Sequence, residues 1–492
     1  MNVSEGRASM SAPRSFGRCE MAWLSESSIS TDNQTMPADP STPARTFPRP
    51  APWAALFLAA LFLAALAAPA ANAAEFAAPV YAGASADGGT VFFTTAEQLV
   101  PGDTDRQVDV YERSYDAEAG IERYVTREVS TGPTGGNDAY PATYDGASAD
   151  GRRVFFSTRE SLVAADTDRS EDVYMRNLTT GTTTLVSRGE ASCQSSGCGN
   201  GPSDAQYLGA SADGSEVFFA TDERLASADT DSAYDIYARN VETNTTTLVS
   251  QGEASCRPAC GNGDLPAMLQ GISADGQKVV FTTAEKLAQG DTDSQADIYE
   301  RDLGAGTTSL VSSPGTCPAG LDCTPIYGGM SGDGSHVFFE TKEQISAEDH
   351  DESQDVYDWS GGTAALISTS AEAEAGNGEF PAIYAGSTAA GAVLFKTGEQ
   401  LSAADADNAT DIYERTPGAG TTTLVSQGEA ACQPGCGNGE ANAIYRGLAA
   451  GGADVFFQTS ESLVAPDADT ETDVYMRDLS AGTTTLVSQG EA

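Results

Sequence analysis

Histidine is almost missing from this chain, with two in 492 residues. Lysine and arginine are scarce as well, 26 against 71 aspartates and glutamates, for a formal net charge of −45. A chain so short of cations offers no basic face to phosphates, which excludes nucleic-acid binding. It also has nothing to hold it on an anionic membrane surface. No stretch after the first 73 residues carries the pattern of a helix longer than a turn or two, and no linker there is long enough to separate two domains. Among short motifs there is no Gly-x-Ser-x-Gly elbow, no His-Glu-x-x-His pair and no phosphate-cradling loop.

There is a single long apolar run. Residues 1–50 are rich in Ser, Pro and Thr without apolar periodicity and are expected to be a disordered leader. Arg45 and Arg49 then precede the run Trp53–Leu66, and small residues follow to Ala71-Asn72-Ala73. Basic, apolar, then small-x-small is the order of a secretory signal peptide, so 51–73 is expected to direct export, with cleavage after Ala73. An uncleaved anchor is the competing reading, but the apolar core is about 16 residues where a spanning helix needs about 20. The long lead makes Met21 or Met36 a candidate start. Beyond this segment no membrane insertion is expected, and the mature chain is expected to be secreted or extracytoplasmic.

Nine cysteines are present. Setting aside Cys19 in the leader, eight fall into close pairs: Cys193/Cys198, Cys256/Cys260, Cys317/Cys323 and Cys432/Cys436. Pairs at recurring positions in an exported chain are expected to be disulfides. Zinc is the alternative, but it needs four converging ligands, and these pairs sit in different repeats with no histidine beside them.

Those repeats are the dominant feature. Residues Ser273–Ser312 recur, lightly edited, seven times, with the opening position at Ser85, Ser148, Ser211, Ser273, Ser331, Thr388 and Ala449. The steps are 63, 63, 62, 58, 57 and 61 residues. A fixed period of this size means one supersecondary unit repeated, each copy burying its faces against its neighbours. Every copy reads as four strands. The first, Tyr-x-Gly-x-Ser, is small; the second, such as Val154-Phe155-Phe156, is apolar at consecutive positions and so covered on both faces. The third is Asp-Val/Ile-Tyr-x-Arg, and the fourth, Thr-Thr-Thr-Leu-Val-Ser, is polar and β-branched as an outer edge should be. That gradient is the radial order of a propeller blade. The expected fold is all-β, a seven-bladed β-propeller of four-stranded antiparallel blades over 74–492. The repeats begin near 81, 144, 207, 269, 327, 384 and 445. Each blade is complete from first to fourth strand, which predicts a direct seam between blades one and seven.

Ser-x-Asp-Gly-x-x-Val-x-Phe followed by Asp-Val/Ile-Tyr-x-Arg-Asp-Leu and Gly-Thr-Thr-Thr-Leu-Val-Ser resembles the TolB-like (WD-like) propeller repeat of bacterial envelope and secreted proteins, from about Tyr81 to Ser488. The resemblance implies a scaffold for proteins or envelope components. The α/β domain that precedes the propeller in TolB has no counterpart in this sequence.

Much of the negative charge sits between the second and third strands as Asp-x-Asp-x-x-x-Asp. The sets are Asp103/Asp105/Asp109, Asp166/Asp168/Asp172, Asp229/Asp231/Asp235, Asp291/Asp293/Asp297, Asp349/Asp351/Asp355, Asp405/Asp407/Asp411 and Asp467/Asp469/Asp473. Three carboxylates at positions 1, 3 and 7 of a short loop can converge on one hard cation, and calcium takes 6 to 8 oxygens. The alternative is a solvated turn in which aspartates bond backbone amides; the loops lack the glycine and terminal glutamate of an EF-hand. A second recurrent group is the glutamate of Thr-x-Glu-x-Leu (Glu97, Glu160, Glu223, Glu285, Glu343, Glu399, Glu461). It co-occurs with a third-strand arginine (Arg113, Arg176, Arg239, Arg301, Arg415, Arg477). The pair is expected either to bridge or to leave the glutamate capping a turn.

Chemistry should show as broken symmetry. Only the fifth copy departs clearly, with His336, His350, Trp359 and Asp358. The expectation is an exported, monomeric, non-catalytic scaffold binding an envelope protein or glycan, with no catalytic residue. The alternatives are a glycan hydrolase or lyase with an axial site near the fifth blade, or a fragment of a larger secreted protein.

Overall fold

The computed structural model describes residues 78–490 apart from short stretches, of which 117–122, 191–199, 371–377 and 430–435 are the longest. The expected leader and signal segment lie outside the described residues, as do Cys193 and Cys198. Seven four-stranded antiparallel sheets make up the chain, each with its strands in sequence order. This is the seven-bladed β-propeller that the repeat predicts. Among the described residues the one helical element is a three-residue 3₁₀ turn, Ala254–Cys256, and no helix is long and apolar enough to cross a membrane.

Blade two shows how the repeat builds a sheet. Its strands are Ala142–Ala147, Arg153–Thr158, Asp172–Asn177 and Thr182–Leu185. The first turn is made by Ser-Ala-Asp-Gly. Ser148 Oγ donates to Asp150 Oδ1 at 2.7 Å and accepts from Arg153 N at 3.0 Å, while Gly151 takes a φ of 69° that a side chain would disfavour. A bulge between Tyr144 and Gly146 interrupts the pairing of strands one and two. The same irregularity recurs in the other six blades. It turns the tyrosine toward the preceding blade. Tyr144 stacks on Phe92 at 5.4 Å, and its hydroxyl lies 2.7 Å from where a Cβ on Gly83 would stand. Glycine is required there because the ring of the next blade occupies the space.

The apolar second strand serves both faces, as its unbroken run requires. Phe155 joins Val217, Phe219 and Leu225 of blade three, while Val154 and Phe156 join Phe92 and Val110 of blade one. Six such cores occur among the described residues, one at each junction from blades one and two to blades six and seven. Close to the axis the turns are tied by backbone bonds: Ala86 N to Ala149 O, Ala149 N to Ala212 O, Ala212 N to Ala274 O and Ala274 N to Gly332 O, each 2.8 Å.

Blades one and seven each hold all four of their own strands, as expected, with no strand exchanged between them. Among the described residues no buried core joins them, and the residues that would form one lie at the surface: Tyr81 is 69 % exposed and Val487 47 %. The repeat specifies the faces of each blade, but closure also needs the sum of seven blade rotations to complete the circle, which no single repeat encodes.

Candidate cation sites at the blade junctions

Each aspartate loop is wired alike. The first aspartate accepts from the third-strand tyrosine: Tyr299 Oη to Asp291 Oδ2 is 2.7 Å, and Tyr174 bonds Asp166 likewise. The second accepts from the amide two residues on, as Ser170 N does to Asp168 Oδ1 at 2.8 Å. The third accepts from the serine ending the fourth strand, as Ser187 Oγ does to Asp172 Oδ1 at 2.6 Å. From blade two on, the first aspartate also accepts the amide of the second through its other oxygen, as Asp168 N does to Asp166 Oδ1 at 3.1 Å. In several carboxylates one oxygen is left over: Asp103 Oδ1, Asp109 Oδ2, Asp172 Oδ2, Asp231 Oδ2 and Asp351 Oδ2 are buried with no hydrogen-bond partner.

In five of the sets one oxygen per aspartate can be chosen so that all three lie within 4.8 Å of one another. These are Asp103/Asp105/Asp109, Asp166/Asp168/Asp172, Asp229/Asp231/Asp235, Asp291/Asp293/Asp297 and Asp349/Asp351/Asp355, and two further groups meet the same condition. Two oxygens each about 2.4 Å from one calcium ion can be no more than about 4.8 Å apart, so the spacing fits a shared ion. Without a cation the arrangement is costly. Burial pushes Asp172 up to about 8 against the bond from Ser187, with Asp166, Asp168 and Glu223 adding to the rise. Burial likewise lifts Asp109 and Asp297 to about 7. A buried carboxylate whose spare oxygen has no donor is the kind of group that a metal ion satisfies.

The seven sets read alike in sequence, but those of blades four, six and seven leave no buried oxygen without a partner. In blade six Tyr413 bonds Asp405, Ala409 N donates to Asp407 Oδ1 at 2.7 Å and Ser426 Oγ to Asp411 Oδ1 at 2.6 Å. The wiring is that of the other loops. None of the buried, unpartnered oxygens falls on Asp405, Asp407 or Asp411, however, and all three make further interactions. In blade seven Tyr475 bonds Asp467, Glu471 N donates to Asp469 Oδ1 at 2.9 Å and Ser488 bonds Asp473. There, as in blade four, the second aspartate is exposed and the first and third are only half-buried. The demand for a cation is thus strongest in the loops of blades one, two, three and five, a distinction that the repeated text does not carry.

For the glutamates of the Thr-x-Glu-x-Leu set the structure decides between the two expectations, against the bridge and for the capped turn. From Glu160 on, their carboxylates accept backbone amides of the link entering their own blade, and so do not depend on the arginines. Glu223 takes Gly201 N at 2.7 Å and Ser203 N at 2.9 Å; Glu285 takes Gly263 N at 2.9 Å and Leu265 N at 2.8 Å. The arginines serve the fourth strand, Arg176 donating to Thr183 Oγ1 at 2.8 Å. Spacing alone did not distinguish a bridge from two separate bonds. Each glutamate also stands near the aspartates of the preceding blade: Asp355 and Asp351 help raise Glu399, and Glu160 helps raise Asp109. From the link, Asn200 Nδ2 donates to Asp168 Oδ2 at 2.7 Å, and its Oδ1 is buried without a partner. Thus an aspartate set from one blade and an Asn or Glu from the next face one junction. The asparagine was visible as the recurrent Gly-Asn of the links, but its reach into the loop was not.

The expected Cys317–Cys323 disulfide is formed, with Cα atoms 5.9 Å apart. Cys260 and Cys436 are also disulfide-bonded. The side chains of Cys256 and Cys432 lie outside the described residues.

The departures in blade five do not converge. His336 Nδ1 is 2.9 Å from Asp358 Oδ2 and stacks on Phe338 at 6.2 Å. His350 lies in the aspartate loop, at the other end of the strand Val337–Thr341. Blade four puts Lys278 on Glu300 at 2.7 Å in the corresponding place, so the His–Asp pair occupies a structural position.

On the innermost strands, one carboxyl has an unusual setting. Asp145 in blade two accepts from Ser157 Oγ at 2.5 Å, and burial lifts it to about 6. A raised native pKa means that the neutral form favours the fold. Its contribution is therefore complete below about pH 4 and is lost as pH rises through 6. Asp145→Asn is expected to match the parent at pH 3.5 and to exceed it by about 2 kcal/mol at pH 7.5. Urea unfolding at both pH values checks this; a constant difference between the two proteins would refute it.

No protein-family model matches the sequence, and no curated protein matches it. Solved structures do. One is from a study of two prolyl endopeptidases: TM-score 0.37, 13 % identity, 84 % of this chain and 49 % of that one. The tricorn protease gives 0.30, 11 %, 84 % and 39 %, and oligopeptidase B of Leishmania major 0.33, 10 %, 85 % and 48 %. The likeness is one of fold alone. The chain spans half or less of these proteins' length. The matches nevertheless correct the expectation of a non-catalytic envelope scaffold and its glycan-hydrolase or lyase alternative. The similar chains are named as peptidases, not as envelope scaffolds or glycan-cleaving enzymes.

Proposed function

We propose that this chain is a calcium-binding propeller of the exported, TolB-like kind, with cations held at the blade junctions as part of the fold. The observation that carries the reading is the set of buried, unpartnered carboxylate oxygens on Asp103, Asp109, Asp172, Asp231 and Asp351. Each lies in a cluster of three aspartates, Asp103 and Asp109 in the same one. In blade two the holders are Asp166, Asp168 and Asp172 with Asn200, and backbone carbonyls and water would complete the shell. The ion would supply charge neutralisation, tying one blade to the next. Calcium suits an irregular all-oxygen site better than magnesium, which demands a near-ideal octahedron and keeps its water. The Cys317–Cys323 bridge supports an oxidising, extracytoplasmic setting, and the −45 charge suits a chain that carries several divalent ions.

Calorimetric titration of the chelator-treated chain with calcium chloride is expected to give several ions per chain. Asp172→Asn should remove one of them and leave the circular dichroism spectrum of the fold intact. No bound calcium at millimolar concentration, with the chain folded, would discard the reading.

A further inference from the structure

Blade one departs from the repeat at the end of its fourth strand. The other blades end on Leu-Val-Ser or Leu-Ile-Ser, but blade one ends on Glu128-Val129-Ser130. The strand register makes the positions equivalent. Glu128 stands opposite Tyr111, as Leu185 stands opposite Tyr174 and Leu248 opposite Tyr237. Those leucines are buried in the apolar cores between blades. A carboxylate put where a leucine belongs is costly unless a donor or a cation meets it.

No donor meets all of it. Glu128 is 9 % exposed, and its Oε1 is buried with no hydrogen-bond partner. Its Oε2 lies 3.7 Å from where a Cβ would stand on Gly102, the residue before Asp103. The carboxyl therefore lies against the aspartate loop of its own blade. Burial pushes it up to about 8, with Asp109, Asp103 and Asp105 adding to the rise and Arg176 of blade two opposing it. In that same loop Asp103 Oδ1 and Asp109 Oδ2 are also buried and unpartnered. Three acceptor oxygens without donors thus belong to one loop and the strand end beside it.

We propose that Glu128 is a fourth carboxylate of the cation site in blade one and makes it the tightest calcium site of the chain. The inference rests on the calcium reading and adds to it an affinity-determining residue that the other loops lack. Calcium takes 6 to 8 oxygens, and the number of charged ligands tunes its affinity. An added negative charge also strengthens the hold on a trivalent ion more than on a divalent one, because the Coulomb energy scales with the product of the charges. A lanthanide ion, hard and oxygen-seeking like calcium, is therefore drawn to this site first.

The test compares the parent with Glu128→Leu, which restores the residue of the other blades, and with Glu128→Gln, which keeps the shape and removes the charge. Terbium chloride is titrated into the chelator-treated chains and followed by the luminescence that tyrosines such as Tyr111, bonded to Asp103, sensitise. Calcium chloride is titrated by calorimetry. In the parent a first equivalent of terbium binds ahead of the rest, and both variants lose it. Their tightest calcium constant weakens by about tenfold or more, the scale on which charged ligands tune calcium sites. The loss is larger for terbium than for calcium. Melting adds a readout that a purely structural glutamate would move the other way. In EDTA, Glu128→Leu melts above the parent because a buried unpaired carboxyl is gone, and it gains less from added calcium. A tightest site unchanged in both variants, with calcium still bound, would overturn this inference alone. So would a Glu128→Leu chain that melts below the parent in EDTA and in calcium alike. A parent that binds no calcium would remove the calcium reading and this inference with it.

Discussion

Chelating calcium lowers the melting temperature of the folded chain by on the order of 10 °C, and added calcium restores it. The size follows from mass action. A ligand that binds only the native state stabilises it by about 2.7 kcal/mol per site when its free concentration is a hundred times the dissociation constant. Two occupied junctions thus supply about 5 kcal/mol, and domains of moderate size shift by about 2–4 °C per kcal/mol. The physical source is the difference between the two states of the loop. With the ion, the spare oxygens of residues such as Asp103 and Asp109 are satisfied. Without it, burial forces protons onto carboxyls such as Asp172, which is raised to about 8. Magnesium at the same concentration should restore less than half of the shift. If differential scanning calorimetry gives the same curve in EDTA and in calcium, the loops are acidic turns and nothing more.

How far the sequence anticipates this structure depends on whether a feature repeats. The bulge at Tyr144–Gly146, the two-faced strand of Val154 to Phe156 and the loop of Asp166, Asp168 and Asp172 recur with a period near 60 residues. Seven repetitions filter out coincidence, and the strand and the loop were legible; the bulge, read only as a strand of small residues, was not. Partnerships were not. Glu223 and Arg239 recur together because each serves the same junction, yet one holds the incoming link and the other the fourth strand. A linear text records that two residues co-occur; it does not say that a third element, the link at Gly201–Ser203, comes between them. Asn200 shows the same limit, since its contact with Asp168 crosses 32 positions. The seam was legible in part: each blade completes its own four strands, while the exposure of its outer faces depends on whether a neighbour stands against them. The loops of blades four, six and seven, which leave no buried oxygen unpartnered, differ from the others in what surrounds them and not in their spelling.

Phe155→Ala destabilises the chain by about 3–5 kcal/mol, the range for removing a fully buried phenylalanine from a core that cannot collapse around the gap. Phe155 has no exposed surface, and it stacks on Tyr207 of the next blade at 5.5 Å with an interplanar angle of 23°. Around it stand Val186, Val217, Phe219 and Leu225. Val217 and Phe219 are held by their strand in a ladder of backbone bonds, and Val186 N is bonded to Val173 O at 2.8 Å, so the cavity persists. The truncation strikes the contact between blades two and three while leaving the hydrogen-bonded sheets intact. Unfolding should therefore lose cooperativity, with calorimetric and van't Hoff enthalpies diverging as the two sides of the junction melt apart. A chain that keeps a single sharp transition and loses less than about 1 kcal/mol would show that the blades are held by their links and turns, with the apolar faces contributing little.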